Sequence, residues 1–588
     1  MTPTKITRRR HLFFTLLFVL PMGACNGPAT PDADADAIYR NARIYTVDAG
    51  NGWAESLAIR NGRIVAVGTD EETRRHQGTN TKIVDLQGQF LMPGIHDMHI
   101  HPSDGGIKEL FECGFPSTLT LDEIVGVVAN CSKNVEPGEW IRGGQWASSL
   151  LESDNSMNKE LLDAVSPDNP VFLMDWSVHN AWVNSAALES LGITDETPNP
   201  IGGHILRDSV TGEATGLLLD NAAYEAQTQL PPYSERQYAE AVGSAIDQFV
   251  GFGITSFKDA MVTGSVLRAY DELARNGQLK SRVATSLAWK SSWSPSHEEE
   301  LGSIANRQKF ASVLVDTSFA KIMLDGVPMT RTSAMLDPYA PNEAFGSDHR
   351  GDMMFEQTEL NEDVAYLDAQ GLTVKIHATG DRAARAALDA FAYAREQNGN
   401  SNQVHELSHA QFIHKDDLPR FRQLNVAAEM CPILWHPHAS DAARAAVLGT
   451  DRAIRMWPMR SLHDAGALVF YGSDWPAVVP DANPWPGIEA MVTRQHPWGE
   501  IPGSQWPEQA IPLETAIRVV TINGATAGKT ANLTGSIEVG KAADFIVLDR
   551  NIMEIPIDEV SDVQVLTTIV NGEVVYKSVA AGFLFESD

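Results

Sequence analysis

Short apolar stretches that alternate with polar positions mark the beginning of the chain. Residues 44–47, 56–60 and 63–67 read as strands, and Asn61-Gly62 between the last two is a hairpin turn signal. The same pattern returns near the far end, where 544–548 is apolar and 565–570 and 573–576 flank Asn571-Gly572. Neither fragment is large enough to be a stable sheet alone. The two chain ends are therefore expected to pair into one small β-sandwich, residues 37–92 with 533–588, around an inserted middle of 93–532.

The middle alternates apolar strand candidates with helical stretches, the pattern of a parallel α/β fold. The strand candidates are 90–100, 253–257, 282–287, 319–324, 372–377, 404–409, 425–430 and 468–473, with helical periodicity at 382–397 and 514–520. Eight strands suit a (β/α)8 TIM barrel. Residues 171–175 make a further strand candidate, placed in a long excursion of about 102–250 between the first and second barrel strands. Connections of that length are usually lids or subdomains.

Composition narrows the function classes. Of 588 residues 43% are apolar, enough for a large core, and the formal net charge of −31 lacks the basic footprint of a nucleic-acid binder. Lys5, Arg8, Arg9 and Arg10 precede an apolar stretch, 12–22, that is too short to span a bilayer permanently. It ends in Met22-Gly23-Ala24-Cys25, which resembles a bacterial lipoprotein signal, while Thr7-Arg8-Arg9-Arg10 loosely resembles a twin-arginine signal. The expectation is a signal peptide (1–24), lipidation at Cys25, a Pro/Ala/Asp tether (25–36), and export to the periplasm or cell envelope. The membrane is then met only through the N-terminal lipid. In an oxidising compartment Cys113 and Cys131 are expected to pair, and Cys431, in an apolar run, to be a buried small hydrophobe.

Chemistry concentrates at strand ends. His99 and His101 stand two apart and so project together from a strand. At the C-terminal rim of a barrel two imidazoles can hold a zinc-like ion. His377, His409 and Asp474 close three further strand candidates. One such residue is usually a cap, but five point to a common centre.

The segments around these residues resemble the metal-dependent amidohydrolase superfamily, in its amidohydrolase-3 branch of YtcJ-like proteins and N-substituted formamide deformylase. The likeness rests on Pro93-Gly94-Ile95-His96-Asp97-Met98-His99-Ile100-His101, Lys321-Ile322-Met323-Leu324-Asp325-Gly326, His377-Ala378-Thr379-Gly380-Asp381-Arg382, Ser408-His409-Ala410-Gln411 and Gly472-Ser473-Asp474-Trp475-Pro476. Asn483-Pro484-Trp485 and the run from Gly535 to Asp544 extend it. The resemblance implies one or two divalent metal ions, zinc by expectation. His99 and His101 would hold one, His377 and His409 a second, and Asp474 the first ion and the catalytic water. Lys321 matches the position that carries an N6-carboxylysine bridge in binuclear members. The implied reaction is hydrolysis of a non-peptide or small-peptide amide C–N bond by metal-bound hydroxide, with Asp474 shuttling the proton.

Around this centre His179 with Asn180, Arg331, His436 with His438, and Trp475 with Trp485 are candidates for substrate contact. His405 is read as lying below His409 on the same strand face, and Asp97 as structural, facing away from His99. His96 stands where the family has an apolar residue and is expected to hydrogen-bond within the core. Thr379 replaces an aliphatic residue and would touch pocket shape. The partner is a small amide-type molecule, with a homodimer left open. Two alternatives stand beside this reading: a one-metal deaminase of a small cyclic compound, and a non-catalytic small-molecule-binding lipoprotein. Against the deaminase, His377 is followed by Ala-Thr-Gly-Asp-Arg rather than by a glutamate. Against the binder, none of the five ligands is lost.

Overall fold

The computed structural model describes residues 34–584, except 154–156, 343–344, 433–434 and 439. The signal segment and Cys25 lie outside the described residues. Eight parallel strands follow one another in chain order around the central sheet: Ile95–Ile100, Ile254–Val262, Arg282–Ala288, Val315–Met323, Thr373–His377, His405–Ser408, Val426–Met430 and Leu468–Tyr471. All eight contain residues expected to be strand. They are almost entirely buried because both faces of a parallel barrel strand are covered.

No ladder joins the last strand to the first among the described residues. That seam is held just beyond the strands, where Asp474 N–H donates to His99 O (2.7 Å) and His101 N–H to Trp475 O (2.8 Å). Asp97 reinforces it by accepting from the N–H groups of Ser473 (3.0 Å) and His99 (3.2 Å). It is structural, as read, but it binds the seam rather than facing away from His99.

The stretch 90–100 is two strands. Phe90–Pro93 pairs antiparallel with Phe545–Leu548 in a six-stranded sheet, and only Ile95–Ile100 enters the barrel. The break falls at Gly94, where a Cβ would lie 2.1 Å from the Thr255 hydroxyl, so only glycine fits so tight a crossing. Strands from both chain ends share that six-stranded sheet, which faces a four-stranded sheet of residues 37–85. Tyr39, Ile44, Leu57, Ile59, Phe545 and Ile569 fill the space between them. Both Asn-Gly hairpins form, with Asn61 and Gly62 at φ 50° and 71° and Asn571 and Gly572 at 52° and 79°.

The excursion builds a mixed sheet of its own. Its strands run Gly203–Arg207, Ala214–Asp220, Asn180–Val183, Val171–Asp175, Ile141–Trp146 and Cys113–Gly114. Cys113 and Cys131 are joined by a disulfide with Cα atoms 6.3 Å apart. The excursion is fastened over the barrel mouth, where Val478 N–H donates to Trp176 O at 2.6 Å and the Gln145 amide donates to Pro476 O.

Candidate active site

Three imidazoles and a carboxylate converge where the first, sixth and eighth strands end. Nε2 of His99 and Nε2 of His101 each lie 3.4 Å from Asp474 Oδ1, and His409 Nδ1 lies 3.9 Å from Asp474 Oδ2. His409 and Asp474 reach inward because each leaves its strand in the left-handed region, at φ 68° and 62°. Burial pushes His99, His377 and His409 well below the ordinary histidine range, so all three are neutral and offer lone pairs.

The hydrogen bonds fix which lone pair is offered. Glu429 Oε2 sits 2.5 Å from His99 Nδ1, which places the His99 proton there and frees Nε2. His377 donates from Nε2 to Gly326 O (3.2 Å), freeing Nδ1, and its ring lies 4.5 Å from that of His409. Lys321, fully buried, brings Nζ to 3.3 Å from His99 Nε2. Burial pushes this amine down to about 7, and the Lys375 ammonium adds to the effect.

Ligand atoms of His99, His101 and Asp474 lie within 4.8 Å of one another, as do those of His99, His409 and Glu429 and those of His409, Cys431 and Asp474. His101 Nδ1 is buried without a hydrogen-bond partner among the described residues. Imidazoles with one carboxylate form a donor set suited to a zinc-type ion. The residues present therefore fit a divalent metal.

The model of the amidohydrolase family matches residues 82–576. The chain belongs to the amidohydrolase family. N-substituted formamide deformylase from Arthrobacter pascens is 29% identical over 92% of this chain and 98% of its own. The protein LONG AFTER FAR-RED 3 of Arabidopsis thaliana is 30% identical over 93% of each. Among solved structures, a metal-dependent hydrolase from Pyrococcus furiosus superposes with a TM-score of 0.66 at 24% identity, covering 88% of this chain and all of that one. The chain is thus a hydrolase of the amidohydrolase family, acting on carbon–nitrogen bonds, and it shares the fold of that solved structure.

Asp474, His409 and His377 line a cavity of about 110 Å3, whose walls are mostly apolar. His179 lines it from the excursion, its Nδ1 donating to Asp220 Oδ1 at 2.9 Å. Asp175 shapes that turn by accepting from the N–H groups of His179 and Asn180, both at 3.1 Å. Asn180 itself is buried, with its amide on Asp175, away from the cavity. Thr379 does touch the pocket, its hydroxyl donating to Gly326 O at 2.7 Å.

Four expected substrate contacts are corrected. Arg331 does not line the cavity: at φ 64° its guanidinium turns to the carbonyls of Ala340 (3.0 Å) and Val447 (3.3 Å). His436 packs its ring 4.7 Å from His496 and donates to Pro437 O, leaving His438 to face the cavity. Trp475 is buried against Phe249, with Gly105 leaving room for its ring. Trp485 is likewise core.

His405 points away from the centre, 3.0 Å from Asp368, with its ring stacked on Phe391. The left-handed turn at His409 breaks the alternation that would have aligned the two. His96 is buried with neither ring nitrogen bonded among the described residues, and burial pushes it to about 3, so it packs as a neutral ring.

Sequence reasoning missed Glu429 and Arg444. A carboxylate inside the apolar run Val-Ala-Ala-Glu-Met was the available signal for the first. Cys431 is buried, as read, but also lines the cavity, with Sγ 3.2 Å from Glu429 Oε1 and 3.7 Å from His409 Nδ1.

Proposed function

We propose that this amidohydrolase cleaves the amide C–N bond of a small non-peptide or small-peptide substrate. The observation that carries the reading is the meeting of His99, His101, His409 and Asp474 at strand ends beneath a small, mostly apolar cavity. His99, His101 and Asp474 would hold a divalent ion, zinc by the donor chemistry, with His409, His377 and Lys321 at its edge. Such an ion supplies a Lewis acid for the amide carbonyl and acidifies water. Asp474 removes a proton from the attacking water and returns it to the leaving nitrogen, so the amine departs neutral. His179, oriented by Asp220, bounds the substrate on the excursion side. The apolar walls exclude bulk water and strengthen each of these interactions.

Lys321 is read as the carboxylated position. Burial leaves its amine about half neutral near pH 7, and addition to carbon dioxide with loss of one proton would give a carbamate, an anionic oxygen ligand for a divalent ion. A carbamate resonance on supply of 13C-labelled bicarbonate, absent in Lys321→Met, supports this, and its absence from the metal-loaded wild type refutes it. The chain is also read as an exported lipoprotein. The Cys113–Cys131 disulfide suits an oxidising compartment, and labelling with palmitate that disappears in Cys25→Ser tests the anchor.

The deciding experiment for the hydrolase reading is an amide library on metal-loaded protein, followed by Asp474→Asn. Loss of at least ~100-fold in kcat is expected for removal of the proton carrier. Undiminished turnover in Asp474→Asn overturns its role.

A further inference from the structure

The cavity that contains Asp474 also carries a second polar group, built from the segment after the seventh strand and separate from the candidate metal ligands. Arg444, on the helix Asp441–Leu448, is 7% exposed and lines the cavity together with His438 and Ser440. One terminal N–H of its guanidinium goes to the half-exposed Asp441. Its Nε is buried and has no hydrogen-bond partner among the described residues. Burial pushes the guanidinium down to about 10, so it remains a cation at neutral pH. A buried cation with an unmet donor is costly unless a ligand supplies the acceptor.

His438 is arranged as a donor beside it. Its Nδ1 accepts from Ser440 N–H at 3.1 Å, which places the ring proton on Nε2. The ring stacks on Trp176 with centroids 5.6 Å apart. Burial first, and then the nearby Arg444 charge, push it to about 4, so it is a neutral donor rather than a second cation. Asp441 couples the two residues by accepting from His438 N–H (3.1 Å) as well as from Arg444. Among the described residues Asp474 is the only acidic side chain on the cavity wall, and Trp176, Val327 and Trp457 supply apolar surface.

We propose that Arg444 and His438 form a carboxylate-binding subsite, so that the substrate class is an amide with an apolar body and a free carboxylate, such as an N-acyl amino acid. This rests on the amide-hydrolase reading of the same cavity. The carboxylate would take the Arg444 Nε–H and the His438 Nε2–H. Charge-assisted bonds of this kind favour the anion over an uncharged isostere by about 10-fold or more.

The test compares N-formyl-phenylalanine with N-formyl-phenylalaninamide, racemic in each case, on the metal-loaded enzyme. Binding is measured by calorimetry on metal-loaded Asp474→Asn, where turnover does not interfere. The expected result is a preference of at least about 10-fold for the carboxylate in kcat/KM and in affinity. In Arg444→Met that preference falls below about 3-fold, chiefly through KM. Arg444→Lys, which keeps the charge and loses the fork, should fall between. If Arg444→Met does not fold by circular dichroism, the comparison of the two ligands without it decides. Equal handling of both compounds, binding of neither, or a preference that survives in Arg444→Met overturns the subsite. Preferential carboxylate binding with no hydrolysis of either compound leaves the subsite standing and counts against the hydrolase reading instead.

Discussion

The Glu429 carboxylate meets Nδ1 of His99 at 2.5 Å, although 330 residues separate them in the chain. The eighth strand passes between their strands without blocking them because Gly472 stands at the crossing. A Cβ there would lie 2.4 Å from His99 Cβ and 2.8 Å from Glu429 Oε1. Glu429 also accepts the His409 N–H at 2.9 Å, so one carboxylate orients two candidate ligands.

Glu429→Gln is therefore expected to weaken metal binding by about 10–100-fold, the usual cost of losing a carboxylate behind a ligating histidine. Gly472→Ala should act in the same direction by displacing His99. Competition with a chromophoric chelator measures both. Unchanged affinity in the two variants would remove Glu429 from the site.

The Cys113–Cys131 disulfide closes a separation of 18 residues between a short strand and the end of the helix Leu121–Cys131. Restriction of the unfolded chain over such a loop is worth about 3 kcal/mol. The double variant Cys113→Ser/Cys131→Ser should unfold at lower urea concentration than the oxidised protein, and reducing agent should no longer shift its midpoint. Coincident urea curves for variant and oxidised protein would mean that the bond adds nothing to stability.

The barrel is legible in the sequence because strand candidates alternate with helical stretches and several of them close on histidine or aspartate. The sequence makes strand one too long because Phe90–Pro93 runs into Ile95–Ile100 with only Gly94 between them, and the Gly94 break is dictated by Thr255, which is distant in the chain. His99, His101, His409 and Asp474 were visible from their place at strand ends. The loop residues were not. Arg331 is drawn off by carbonyls of distant segments, and Trp475 by Phe249. A side chain's direction after a strand depends on such partners and on left-handed turns like that at His409, neither of which alternation encodes.

Asp368 gives a pH-dependent term. Burial pushes its carboxyl up, but His405 first, then Ser401 and Asn398, outweigh burial and hold it at about 2. A folded value below the unfolded one of about 3.9 contributes stability that is fully present above pH ~4 and is lost as the pH falls through ~2. The shift corresponds to on the order of 2 kcal/mol. Asp368→Asn should lower the unfolding free energy by that order at pH 7, and by progressively less below pH 4. Chemical denaturation at pH 7 and at pH 3 tests the sign, and an equal loss at both would contradict it.

Beneath the candidate site the barrel interior holds Lys258, Lys375 and Glu406, all fully buried. Glu406 accepts from Lys258 and lies 3.3 Å from Lys375 Nζ. Lys258 also donates to Ala527 O (3.1 Å) and Lys375 to Met98 O (2.8 Å). The triad carries one excess positive charge in a region where an unpaired ion costs several kcal/mol. Burial pushes Lys258 down to about 8 despite its partner. Glu406→Gln removes the triad's carboxylate and should destabilise by about 3–5 kcal/mol. Adding Lys258→Met to that variant removes one of the stranded ammoniums and should recover part of the loss. Recovery is the discriminating observation, because a purely steric defect at Glu406 would make the second substitution additive and further destabilising, whereas a stranded charge makes it compensating. Thermal or urea unfolding of the two single variants and the double variant reads the sign directly.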